Sequence, residues 1–354
     1  MSMHVAVSGA WLGVPSGANR RLLGLLDALR ALLHEGEQVT VLHGRGYAPP
    51  WQHPRVHWHA LDLDPQPPTL ARAWFEWRRL PRLLRRLDVD LLDHAMLPLP
   101  RAGVPSVLTV HDTRDVDGHS HRPAWLARLL LQDAVRRASA LVAVSRFTAA
   151  RIHAHVQAAE TVVIPNAPSL PVLPRAAVAD LVLHVGHLEP RKNLSLLLDG
   201  FARLDRERRR QLRVVLVGAD AGSRASLVAR SAALGILDRV DFAGALPDEA
   251  LPALYARAAA VCVPSHHEGS GICALEGLAA GAPVLVSANS GMAELAQLGA
   301  IALPPDDSAA WADAIAEAEP PASPPLVPGW DAPARQLLDV WRSAHGRHRQ
   351  PGKA

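Results

Sequence analysis

The strongest constraint on the fold is a set of short, uninterrupted apolar segments that recur between amphipathic stretches along nearly all of a 354-residue chain. The first series is HVAVSG (4–9), QVTVLH (38–43), VDLLDHA (89–95), SVLTVH (106–111), ALVAVS (140–145) and TVVIPN (161–166). The second is LVLHVG (181–186), RVVLVG (213–218), RVDFAG (239–244), AVCVPS (260–265) and PVLVSA (283–288). A strand with one solvated face alternates apolar and polar residues, whereas a parallel strand covered by helices on both faces reads as continuous apolar sequence. The chain therefore predicts an α/β protein with parallel sheets. Its length exceeds what one hydrophobic core supports, so two domains are expected. The segment NAPSLPVLPRAAVAD (166–180) has no periodicity and reads as a linker. We expect two doubly wound, Rossmann-like domains, 1–168 and 169–330, facing each other across a cleft. A proline-rich stretch (319–330) precedes a last helix, 331–345, which is expected to pack back on the first domain.

Charge and cysteine use narrow the function. The formal charge of +3 is too small a basic excess to call for nucleic acid. It suits an anionic small molecule or an acidic membrane surface. Cys262 and Cys273 lack the spacing of a zinc site or a redox pair and read as reduced core residues of a cytoplasmic protein. The amino-terminal MSMHVAVSGAWLG has no basic leader, so no signal peptide is expected. No apolar stretch reaches spanning length without Gly or Pro, so no transmembrane segment is expected either. Of 37 basic residues only Lys192 and Lys353 are lysines, the pattern of a coding bias toward arginine. Against that background a retained Lys192 is informative.

Ligands of open α/β sheets bind beyond the carboxyl ends of the strands, so the strand-to-helix turns hold the candidate residues. In GHLEPRKNLSLLLDGF (186–201) a helix is expected to begin near Arg191, with Leu194, Leu197, Leu198 and Phe201 on its apolar side. Arg191 and Lys192 would then oppose the helix dipole, which a bound anion explains and a solvated surface pair also allows. In PSHHEGSGICALEGLAAGAPVLVS (264–287), Glu268 precedes Gly269, Ser270 and Gly271, and Glu276 follows just inside a helix. The glycines let backbone N–H groups approach a diphosphate or sugar hydroxyls. Glu276 suits a ribose diol, or is an ordinary first-turn acid complementing the dipole.

Glu268, seven intervening residues and Glu276 resemble the paired-glutamate signature of retaining GT-B glycosyltransferases, most closely glycosyltransferase family 4. The stretches around 186–201, VIPN (163–166), AVSRFTAARI (143–152) and RVDFAGALPDEALPALYARA (239–258) fall in the order that family shows. The resemblance implies that Lys192 binds the donor diphosphate with Arg191 beside it, and that Glu276 holds the nucleotide ribose. It implies that Glu268 contacts hydroxyls of the transferred sugar, with Gly269, Ser270 and Gly271 supplying backbone N–H groups. Relatives often place Arg or Thr where this chain has His187, so His187 and Arg191 are both candidates for the second phosphate contact. His111, after the strand 106–111, matches a family histidine near the reaction centre; by itself it reads as a structural histidine. Where relatives have two adjacent glycines after the first strand, this chain has Ser16 and Gly17, then Arg20. Gly17 is a candidate donor contact, and Ser16 equally a plain helix cap.

Competing signals are weaker. Three Asp-x-Asp patterns (62–64, 88–90, 115–117) match the way another glycosyltransferase class holds a metal, but in a chain with 34 acidic residues they carry little specificity. We expect no metal and no cofactor. The stretch ARAWFEWRRLPRLLRRLDVD (71–90) combines Trp74, Phe75 and Trp77 with arginines from Arg72 to Arg86, a composition suited to an anionic membrane interface. Pro81 interrupts it, so the expectation is a domain helix with its aromatics on the core. The resemblance thus implies a metal-independent hexosyltransferase of polysaccharide biosynthesis, with His111, Lys192 and Glu268 as catalytic residues. The donor is a nucleoside diphosphate sugar, with GDP favoured over UDP and mannose a candidate sugar, because LEPRKN resembles GDP-mannose users. The acceptor is a glycan or lipid-linked saccharide, and the place is the cytoplasm or the inner face of the plasma membrane. The alternatives are a nucleotide-sugar epimerase, or a catalytically silent nucleotide-sugar-binding subunit.

Overall fold

The computed structural model describes residues 2–14, 16–64, 69–120, 123–158 and 160–349. Lys353 lies outside them. The chain divides into one unit of residues 1–166 with 329–354, and a second of residues 167–328.

The first unit is a seven-stranded parallel sheet. Its strands are β1 (Met3–Gly9), β2 (Glu37–His43), β3 (Val56–Ala60), β4 (Leu91–His94), β5 (Ser106–Val110), β6 (Ala140–Ala143) and β7 (Thr161–Val163), in the order β3-β2-β1-β4-β5-β6-β7. The helices are α1 (Gly17–Leu29), α2 (Thr69–Trp74), α3 (Leu80–Arg86), α4 (Ala124–Arg137) and α5 (Arg146–His155). Both sheet faces are dry, which is why the strands read as continuous apolar runs. Val5, Val7, Val39, Leu91, Val107 and Val142 pack toward α1 and the carboxy-terminal helix. On the opposite face, Ala6, Leu42 and Leu92 pack on α3, and Leu108, Leu141 and Ala143 on α4.

The second unit holds β8 (Leu181–Val185), β9 (Arg213–Val217), β10 (Val240–Gly244), β11 (Ala258–Val263), β12 (Val284–Ser287) and β13 (Ile301–Leu303), all parallel, in the order β10-β9-β8-β11-β12-β13. Its helices are α6 (Leu194–Arg203), α7 (Arg206–Gln211), α8 (Arg224–Ala233), α9 (Leu251–Arg257), α10 (Ile272–Ala279) and α11 (Ser308–Ala316). The last helix, α12 (Asp331–Arg349), lies in the first unit, because Ala334, Leu337, Leu338, Trp341 and Ala344 repeat at helical spacing and are all buried there. Each such large apolar side chain contributes roughly 1.5–3 kcal/mol on burial.

Two strands escape the sequence reading. β3 and β13 are sheet edges: β3 interleaves His57 and His59 with its apolar residues, and β13 is apolar but only three residues long. The expected strands also overshoot at their carboxyl ends: His111, Gly186, Pro264 and Ser265 belong to the loops that follow.

The stretch 71–90 forms α2, a π-helical turn Phe75–Arg79, and α3. Pro81 has no N–H to give, and in α geometry its ring would crowd the carbonyl four residues earlier; the wider turn accommodates it. Phe75, Leu80 and Leu84 reach the core. Trp74 and Trp77 do not, at 50% and 65% exposed, so the expectation that this helix turns its aromatics inward holds only for Phe75. Arg79 stacks over Trp74 at 4.8 Å and Arg78 over Trp77 at 5.3 Å.

Several aspartates of the Asp-x-Asp patterns have structural partners. Asp62 pairs with Arg45 and Arg79, Asp90 accepts the His4 N–H at 2.9 Å, and Asp117 binds Thr113, Arg151 and His155. Among the described residues no group of three or more His, Cys, Asp or Glu side chains is arranged to hold a metal, and no helix is long and apolar enough to cross a membrane.

Candidate active site

A doubly wound sheet opens a crevice where its strand order reverses. In the second unit that point lies between β8 and β11, and the loops that follow these two strands carry the basic and acidic candidates.

After β8 the backbone makes a single 3-10 turn, Pro190–Lys192, so Arg191 and Lys192 do not lie in the first turn of α6 as the sequence pattern predicts. The cause is Asn193. It adopts the left-handed conformation (φ 53°) and interrupts the helix, while its side-chain amide donates to the Pro305 carbonyl at 2.7 Å. This break directs both cations toward the β11 loop. Lys192 Nζ donates to Glu268 Oε1, and Arg191 Nη1 donates to the same oxygen at 2.9 Å and to the His267 carbonyl at 2.9 Å. Ser265 Oγ donates to that oxygen at 3.3 Å. Glu189 closes the other side of Arg191 at 2.7 Å.

Lys192 and Glu268, assigned to different parts of a donor, are therefore direct partners. Burial alone would raise the Glu268 carboxyl, but the Lys192 and Arg191 charges outweigh it and hold the group far below the usual carboxylate range. His187 is exposed and has no part in this cluster.

Glycine has a steric reason at two positions. At Gly218, the end of β9, a Cβ would press into the carbonyl oxygen of Gly186, so the two chain segments can close up only without one. Gly271 caps α10 in the left-handed region (φ 67°), where a Cβ would meet Met292 at 2.6 Å. Gly269 and Ser270 are buried in the same loop. Glu276 sits one turn inside α10, 3% exposed, and accepts the Tyr255 hydroxyl at 3.0 Å.

In the first unit the strand order reverses between β1 and β4. Gly17 is exposed at the start of α1, and Ser16 Oγ caps that helix by accepting the Asn19 N–H at 3.2 Å. The arginine that turns inward is Arg21, not Arg20. It is 2% exposed and donates to the Ile164 carbonyl at 3.0 Å and to Asn166 Oδ1 at 2.6 Å. Asp93 at the end of β4 accepts the Trp341 indole N–H at 2.6 Å. His111 lines the same cavity as Arg21, Asp93, Thr109 and Trp341. Burial and then the Arg21 charge push its imidazole below the ordinary value, toward the neutral form.

The second unit thus gathers Arg191, Lys192 and Glu268, with the 269–271 loop following and Glu276 deeper on α10, while His111 and Gly17 belong to the first. Sequence reasoning missed Tyr255, Arg21, Asp93, Trp341 and the buried His184 on β8. Two had a legible signal: Asp93 is a charge inside an apolar strand, and Arg21 falls on the stripe that Leu25 and Leu29 continue.

Two parallel-sheet Rossmann-like units, each with its crevice at a switch point, make up the GT-B architecture. Residues 173–320 match the model for glycosyl transferases group 1, and residues 15–169 match that for Glycosyltransferase Family 4. The chain belongs to this family of enzymes. It is 27% identical over 325 residues to the O-antigen chain mannosyltransferase B of Escherichia coli, covering 82% of this chain and 84% of that one. It is 33% identical over 189 residues to the D-inositol 3-phosphate glycosyltransferase of Salinispora tropica, a match that spans 48% of this chain and only 39% of the relative. The fold resembles sucrose-phosphate synthase of Thermosynechococcus elongatus (TM-score 0.72, 20% identity, 98% of both chains). It also resembles Anabaena HepE in complex with UDP and glucose (TM-score 0.64, 21% identity, 98% of both chains).

Proposed function

We propose that this glycosyltransferase moves a hexose from a nucleoside diphosphate sugar to a hydroxyl of a glycan or lipid-linked saccharide, with retention of configuration. The observation that carries the reading is the convergence of Lys192 and Arg191 on one oxygen of Glu268 beside the 269–271 loop. An arriving diphosphate competes with Glu268 for the two cations. As it takes them, Glu268 is freed to accept hydrogen bonds from hydroxyls of the sugar, and the charge that develops on the leaving diphosphate meets preorganised cations. Arg191, not His187, is the second phosphate contact. Glu276, held by Tyr255, takes the ribose. His111, kept neutral, serves at the reaction centre.

The cations supply the charge stabilisation that a divalent metal gives in other transferases, so transfer is expected to persist in a chelator; loss of activity there would refute this part. Mannose is favoured as the sugar by the mannosyltransferase relative, and GDP as the nucleotide by the LEPRKN turn. A thermal-shift panel of GDP, UDP, ADP and their sugars tests the reading. Stabilisation by one diphosphate series is expected, and no response to any would overturn it.

We also propose that the enzyme works in the cytoplasm, against an anionic membrane face where a lipid-linked acceptor is presented. Trp74, Trp77 and, on α4, Trp125 are half or more exposed on the same sheet face, beside exposed Arg78, Arg79, Arg82, Arg85 and Arg86. Co-sedimentation should occur with phosphatidylglycerol-containing vesicles and not with pure phosphatidylcholine, and Trp77→Ser should weaken it. Equal behaviour of both vesicles or of both proteins would refute the proposal.

A further inference from the structure

On β8, ahead of the Lys192 turn, lies a buried histidine with no part in the donor contacts proposed above. On its β11 side, β8 is paired only from Leu181 to Leu183, while on its β9 side the pairing runs on to Val185. His184 therefore stands where the sheet opens at the switch point. It is fully buried, and its Nδ1 lies 2.9 Å from the carbonyl oxygen of Cys262. A carbonyl can only accept, so Nδ1 carries the proton and Nε2 carries a lone pair.

Nε2 has no partner among the described residues. A buried acceptor without a donor is uncommon and calls for an explanation. Lys192 brings a donor to the same gap. A Cβ placed on Gly186 would lie 3.1 Å from His184 Nε2 and 3.4 Å from Lys192 Nζ, so the missing side chain leaves a gap that both nitrogens border. An ammonium has three protons to give, and the hydrogen bond that Lys192 Nζ makes goes to Glu268. Burial, then the Lys192 charge, lower the His184 pKa to about 4, which keeps the ring an acceptor at neutral pH.

We propose that His184 is a positioning residue for the donor diphosphate, accepting a proton of the Lys192 ammonium through Nε2 and holding that charge in place when Glu268 turns from Lys192 to the sugar. The proposal rests on the reading of Lys192 as the diphosphate contact. His184 never touches the donor. It acts by keeping Lys192 anchored at the sheet while a phosphate oxygen takes the place of the carboxylate.

The two nitrogens can be tested separately. His184→Asn keeps a donor for the Cys262 carbonyl and deletes the group at Nε2, whereas His184→Gln retains a carbonyl oxygen near the Nε2 position. Titration calorimetry would compare GDP and UDP with GMP and UMP for the wild type and both variants. His184→Asn is expected to weaken diphosphate binding about tenfold, as loss of one hydrogen bond to a charged group does, with monophosphate binding unchanged. His184→Gln is expected to recover most of the difference. Equal weakening of diphosphate and monophosphate would mark His184 as merely structural and overturn the proposal. So would unchanged diphosphate binding in His184→Asn. If the wild type bound neither diphosphate, the reading of Lys192 itself would fall, and this inference with it.

Discussion

Replacing Asp93 with Asn should remove a pH dependence built into the first unit. Asp93 is 6% exposed, and burial raises its carboxyl from 3.8 to about 6, although the Trp341 hydrogen bond and the Arg21 charge oppose the rise. The sign follows from where the proton sits. Between about pH 4 and about pH 6 the native carboxyl stays protonated while the unfolded one ionises, so unfolding releases a proton and stability falls as pH rises. A shift of about two units at 1.36 kcal/mol each gives a loss of roughly 3 kcal/mol, complete above about pH 6. Asn cannot ionise yet still offers Trp341 an acceptor. Relative to wild type, Asp93→Asn should therefore gain roughly 3 kcal/mol between about pH 4 and about pH 7. Urea unfolding followed by tryptophan fluorescence suits this, since Trp311 is the one tryptophan of nine outside the first unit. Subtracting the two proteins at each pH cancels every other titration. A difference that stays constant across the range would refute the reasoning.

Tyr255→Phe removes the hydroxyl that holds buried Glu276, so stability should drop by about 1–3 kcal/mol and the donor KM should rise with kcat little changed. An unaltered KM in steady-state assays would argue against a ribose contact. Gly218→Ala forces a methyl into the Gly186 carbonyl, and chemical denaturation should show a loss of about 2 kcal/mol or more. Wild-type stability there would mean that the segments do not need their close approach. His111→Ala should lower kcat by about a hundredfold or more while leaving nucleoside diphosphate binding intact in calorimetry, the behaviour of a group that acts in the transition state.

How far the sequence reaches depends on whether a feature is local. Central strands were legible because burial on both faces leaves only apolar residues in them, and α6 because Leu194, Leu197, Leu198 and Phe201 keep helical spacing into the core. The edge strands β3 and β13 were not, since His57 and His59 interrupt the first and the second is only three residues long. Lys192 could be picked out by composition and motif order, yet its placement depends on Asn193 reaching Pro305, which no local pattern encodes. The pairing of Lys192 and Arg191 with Glu268 joins loops about 76 residues apart, and Trp341 meets Asp93 across 248. Such contacts follow from strand order, and strand order is settled by the packing of the whole sheet. The exposure of Trp77 was hidden for a related reason: it sits within the π turn that answers Pro81, where the helical face departs from α spacing.

The central claim is that Lys192 and Arg191 hold a diphosphate in place of Glu268. Titration calorimetry of GDP and UDP against the wild type, Lys192→Ala and Lys192→Arg tests it most directly. A unit charge pair at 4 Å is worth roughly 4 kcal/mol at an effective dielectric of 20, and withdrawing the ammonium from Glu268 offsets part of this, leaving a loss of about a hundredfold in Lys192→Ala. Arginine restores charge but not the compact ammonium, so Lys192→Arg should recover only part of the affinity. Wild-type affinity in a folded Lys192→Ala protein would contradict the account.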